Sequence, residues 1–103
     1  MLETFTTQTF TPLLHDTFRV VLDSAPEVRL ELMEVQELAR EGPIPPAFAQ
    51  ARTPFSLIFH GPRDFLLPQR IYHLEHATLG SFDLFLVPLG PQAQSMRYEA
   101  VFS

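Results

Sequence analysis

The chain has 103 residues, 46% of them hydrophobic, with ten Phe, no Cys and a formal net charge of −5. That apolar content excludes disorder, and the length allows one domain with a core of its own. All seven basic residues are Arg, placed singly at 19, 29, 40, 52, 63, 70 and 97. Without a basic run there is nothing to displace counterions from nucleic-acid phosphate or to dock on an anionic bilayer.

The absence of Cys removes disulfides, thiol catalysis and thiolate metal sites. Residues 1–10 form a Thr-rich, acidic arm with no basic n-region and no apolar h-region, and no stretch approaches the ~20 apolar residues of a membrane helix. The expectation is a soluble protein synthesised in the cytoplasm without a signal peptide. The arm carries Phe5 and Phe10 and reads as extended, able to pair with a neighbour's sheet edge.

Thr11 to Asp16 suit one helical turn, with Thr11 at the N-cap, Pro12 in the first helical position, and Leu13 and Leu14 plugging one end of a core. Thr17 to Asp23 alternates as a strand with Phe18, Val20 and Leu22 on one face. Glu27 to Val35 alternates with Val28, Leu30 and Leu32 inward. Met33 and Val35 then carry the opposite parity, which places a β-bulge near Leu32-Met33. Residues 36–53 form a long Pro-rich loop containing Phe48, with a possible helical turn over Gln36 to Arg40. A loop of this length is usually functional or mobile.

Phe55 to His60 is a strand ended by Gly61-Pro62, and Phe65-Leu66-Leu67-Pro68 an apolar connection over the core. Arg70 to His76, Ser81 to Pro88 and Ser95 to Phe102 form a meander with turns at 77–80 and 89–92. Its best register sets Tyr72 against Leu86 and Tyr98, Leu74 against Leu84 and Ala100, and His76 against Phe82 and Phe102. The opposite face holds Ile71, His73, Glu75, Asp83, Phe85, Val87, Arg97, Glu99 and Val101. Ile71, Phe85 and Val87 are more apolar than a monomer surface requires, so this face is covered or offered to a partner.

The expected fold is all-β, a small antiparallel barrel or sandwich of about six strands with one short helical turn near the N-terminus. The run Phe55-Ser56-Leu57-Ile58-Phe59-His60-Gly61-Pro62, then Leu67-Pro68-Gln69-Arg70-Ile71-Tyr72-His73-Leu74-Glu75-His76, Leu79-Gly80, Leu84 to Pro88, Gly90 and Arg97 to Phe102 resembles a bacterial family of small domains of unknown function. The opening Phe10-Thr11-Pro12-Leu13-Leu14 with Phe18 fits it too. The resemblance implies no catalytic residues, and suggests accessory proteins near phage-tail-collar-like genes that serve an extended, phage-tail-like or filamentous assembly. Its residues also have purely structural readings: Gly61, Gly80 and Gly90 as turn glycines of positive φ, Tyr72 and Tyr98 as packing residues.

Chemistry is thinly represented. His73, Glu75 and His76 lie close together, with His60 and His15 elsewhere. On a strand His73 and His76 point to opposite faces, so they do not chelate as a helical pair would. No Ser sits in a Gly-x-Ser-x-Gly frame. Glu75, Asp83 and Glu99 share a face but no cleft that would tune them as a glycosidase pair. No phosphate-cradling glycine loop and no cofactor motif is visible, so no catalytic, metal or cofactor residue is assigned. The reading is a non-enzymatic module acting through protein–protein contacts, self-associating or as an assembly subunit, with Phe5, Phe10, Phe48, Ile71, Phe85 and Val87 as interface candidates. The alternatives are a small carbohydrate-type binding barrel with Tyr72, His73 or His76 at its mouth, and a metal-dependent enzyme using His60, His73, Glu75 and His76.

Overall fold

The computed structural model describes residues 4–23, 27–38 and 53–102. A four-residue helix α1 (Thr7–Phe10) runs into a 3-10 turn (Thr11–Leu13). Six strands follow: β1 (Thr17–Val21), β2 (Val28–Glu37), β3 (Phe55–Pro62), β4 (Arg70–His76), β5 (Gly80–Gln92) and β6 (Ser95–Phe102). Every pairing is antiparallel, and the strands close into a barrel in the order β1-β2-β3-β6-β5-β4. This settles barrel against sandwich. Two three-stranded meanders, β1–β3 and β4–β6, meet along two seams. The β3–β6 seam runs from Phe55↔Phe102 to Pro62↔Ser95, whereas β1–β4 is held by Arg19↔Glu75, Val20↔Leu74 and Val21↔His73 alone.

Strand alternation fills the interior. Phe18, Val20, Leu30, Leu32, Phe55, Leu57, Phe59, Leu74, Leu86 and Tyr98 are fully or almost fully buried. The N-terminal segment stops one end. The ring of Phe10 lies 5.3 Å from Phe5, 5.5 Å from Phe102 and 6.0 Å from Phe55, and Phe55 stacks on Phe102 at 4.6 Å with 5° between planes. Phe5 and Phe10 are therefore core residues, not interface residues of an extended arm. The N-terminal segment thus delivers two of the ten Phe to the open end, Phe5 just before the helix and Phe10 as its last residue.

Other expectations shift in detail. The bulge falls at the expected place, between Leu32 and Glu34 in the β2–β3 ladder. β2 continues to Glu37, so Gln36 and Glu37 are strand where a helical turn was expected. Residues 39–52, including Phe48, lie outside the described residues. The meander keeps the expected faces but not the expected partners: Tyr72 pairs with Leu84 and Leu74 with Phe82, and Pro88 with Tyr98. That is a displacement of two residues, which leaves every side chain on the same face. It follows from the two turns: His76 pairs with Gly80, so the first is residues 77–79, and the second lies at residues 93–94 with Ala93 at φ 55°, while residues 89–92 belong to β5. Gly90, at φ 105°, sits in a bulge between Pro88 and the Gly90↔Arg97 pair, not in a turn.

Gly61 is likewise not a turn glycine. It lies in β3, where an added Cβ would come within 2.6 Å of Leu30 Cδ2 and 3.4 Å of Tyr98 Cε2. Close packing, not φ, requires glycine there. In the β3–β4 connection only Leu67 enters the core, while Phe65 and Leu66 remain exposed. Tyr98 holds this connection, its hydroxyl accepting from Leu67 N–H at 2.9 Å and facing Phe65 O at 3.4 Å. The Tyr72 hydroxyl donates to Pro68 O.

Candidate protein-binding face

On the outside of the barrel, residues Val21, Ile71, Phe85 and Val101 come from four strands. Ile71 and Phe85 are directly opposite in the β4–β5 ladder, and they are 64% and 47% exposed. Val101 is 57% exposed and Val21 is 42%. Val21 faces His73 across the β1–β4 seam, a diagonal from Ile71, and both line an open depression of about 240 Å³ with Arg70 and Asp83. Val87 is half-buried opposite Glu99, two positions before Val101 on β6. Among the expected interface residues the fold thus brings Ile71, Phe85 and Val87 together. It sends Phe5 and Phe10 elsewhere, and adds Val21 and Val101. Val21 escaped notice because the β1–β4 pairing that brings it alongside Ile71 is long-range and has no local signature.

The polar groups beside this face are mutually engaged. His73 Nδ1 lies 3.0 Å from Asp83 Oδ1, and Arg19 NH2 lies 3.3 Å from Glu75 Oε1. Arg70 rests 5.0 Å above the Tyr72 ring. Burial raises the Tyr72 hydroxyl pKa, with Arg70 opposing and Tyr98 adding to the shift; burial likewise raises that of Tyr98, opposed by its bond to Leu67.

His76 points inward instead. It is buried and lies 4.6 Å from the Phe18 ring. Its Nδ1 accepts from the N–H groups of Thr78 and Leu79, both at 3.1 Å, and its Nε2 is 2.9 Å from Asp16 Oδ2. Because Nδ1 is an acceptor, the proton sits on Nε2 and is donated to Asp16. This His–Asp pair fastens the β4–β5 turn to the start of β1. Thr78 Oγ1 also lies 3.3 Å from Nδ1, so both ring nitrogens are engaged by local structure. His60 contacts Ser95, on a different part of the surface. Among the described residues no group of three or more His, Asp or Glu side chains is arranged to hold a metal ion. Glu75, Asp83 and Glu99 do not converge either, since the first two are paired with Arg19 and His73. The inward-facing side chains of the strands, among them Phe18, Leu30, Phe59, Leu74, Leu86 and Tyr98, are buried inside the barrel.

Fold and surface together define a closed six-stranded antiparallel β-barrel domain with a solid core and an apolar outer face. Residues 5–102 match the family described as Domain of unknown function (DUF6916), and the chain belongs to that family. No curated protein and no solved structure matches it.

Proposed function

We propose that this domain is a non-enzymatic assembly module that binds a second copy of itself through the outer face of β4, β5 and β6. The observation that carries the reading is the directly opposed, exposed pair Ile71 and Phe85, extended by Val21 and Val101. Exposed apolar patches of a few hundred Å² mark interaction surfaces more often than chance allows. Hiding such a patch contributes about 25 cal/mol per Å² before the costs of association. The rim offers both signs, Arg70 and Asp83 lining the same depression, so a two-fold related copy meets complementary charge. Closure of the barrel removes the unpaired strand edges through which a β protein would otherwise associate, which leaves side-chain contact as the route.

Light scattering on the parent and on Phe85→Glu tests this. The parent is expected at a multiple of 11.8 kDa, and the variant at the monomer mass with its melting temperature preserved. A parent that stays monomeric at several hundred micromolar refutes self-association.

A further inference from the structure

Beyond the apolar patch, the β3–β6 seam carries a second feature that burial of that patch does not explain. Arg97 lies on the outer surface, directly opposite His60 on β3 and Gly90 on β5. Its Nε is buried and has no hydrogen-bond partner, and among the described residues the guanidinium makes no ion pair. A buried, unmatched guanidinium N–H is costly and calls for an acceptor. Acidic neighbours exist, yet Glu31, opposite His60, engages His15 at 3.0 Å, and Glu99 lies two residues along β6. Gly90, opposite Arg97 on β5, puts no side chain over that pair, and a Cβ placed on it would meet nothing within 4 Å. On the other side, Ser95 Oγ lies 3.0 Å from His60 Nδ1 and 3.2 Å from Gln92 O, so the His60 ring is anchored through one nitrogen and its other nitrogen remains for a ligand.

We propose that Arg97, with His60 and Ser95, forms a carboxylate-recognition site. A guanidinium presents its N–H groups as a planar fork that matches a carboxylate in bidentate fashion. Glu31 and Glu99 flank the position. Two negative neighbours disfavour a phosphate dianion more than a singly charged carboxylate. The site is distinct from the apolar patch, since none of its three residues is among Val21, Ile71, Phe85 and Val101. The carboxylate comes either from a small free acid or from an acidic side chain of a second copy.

Arginine Nε–H resonances in ¹⁵N–¹H spectra read the site directly. Dilute protein is titrated with sodium acetate, with chloride replaced at constant ionic strength. The Arg97 Nε–H signal is expected to move saturably while those of the other arginines do not, and Arg97→Lys, which keeps charge but loses the fork, should weaken the acetate response of the neighbouring Gly90 amide about ten-fold. A second arm raises protein concentration without acetate: movement of the same signal assigns the carboxylate to another copy, and movement only with acetate assigns it to a free acid. The monomeric Phe85→Glu variant should keep the acetate response, which separates failure of this site from failure of the association reading. An Arg97 signal that is flat in both arms, as bound water alone would leave it, overturns the proposal, as does tighter binding of phosphate than of acetate.

Discussion

Replacing Phe10 by alanine removes the ring at the centre of the aromatic stopper. Phe10 is fully buried, and its ring lies within 6.5 Å of Phe5, Phe18, Phe55, Phe82 and Phe102. Truncating a buried Phe costs about 3–5 kcal/mol through lost transfer energy and the cavity left behind. Five aromatic neighbours put the expected loss in the upper half of that range, because each favourable ring pair adds roughly 0.5–1.5 kcal/mol. A domain of this size is stable by about 5–15 kcal/mol, so the variant retains only part of its stability. At about 4–8 °C per kcal/mol its melting temperature should fall by roughly 16–40 °C. Urea denaturation followed by circular dichroism, with Phe85→Ala as the control, measures this. Phe85 is 47% exposed on the outer face, and its truncation in the monomeric protein should change stability by no more than about 1 kcal/mol. If Phe10→Ala melts within a few degrees of the parent, residues 4–10 are not part of the core and the N-terminal segment is a free arm after all.

Tyr98→Phe leaves the Leu67 N–H without its acceptor and should cost about 1–2 kcal/mol by urea titration. It also changes the alkaline limb: burial raises the Tyr98 pKa above 10.0, so its contribution is whole below pH 10 and lost as pH climbs through the raised folded value, a loss the variant should lack. Gly61→Ala pushes a methyl to 2.6 Å from Leu30 Cδ2 and should destabilise by about 1–3 kcal/mol, whereas Gly61→Ala combined with Leu30→Ala should recover part of its own effect in a double-mutant cycle. His76→Leu deprives the Thr78 and Leu79 amides of their shared acceptor, and both should exchange with deuterium faster than in the parent. His73→Ala should leave the melting temperature nearly unchanged, because its pairing with Asp83 is on the surface.

The β class, the strand order along the chain and the bulge at Leu32-Met33 were legible because alternation of side chains is a local signal. The partner register was not. A shift of two residues preserves which face each side chain occupies, so pattern alone is blind to it, and only the true turns at 77–79 and 93–94 discriminate. Pro88, Gly90 and Pro91 marked a turn in the sequence, yet they shape a bulge inside β5. Ser56 and Ile58 show the same limit: they alternate with the inward Phe55, Leu57 and Phe59, yet both are buried. For the candidate face, Ile71 and Phe85 could be picked out because they interrupt a polar row within one local meander. The meeting of His60 with Arg97, and of Val21 with Ile71, depends on the two seams, which join residues far apart in sequence.

Those seams are unequal, and the difference bears on how the molecule opens. With three paired positions at β1–β4 against eight at β3–β6, the short seam is the natural unzipping point of the cylinder. Brief native-state openings should begin there and expose the amides of β1 and of His73 to Glu75 in β4 while β3 and β6 stay joined. Val21 and Ile71 straddle that same join on the outside. A neighbouring copy seated over them would act as a hoop around a split stave, slowing the opening of a barrel whose own backbone closes it least firmly at that line.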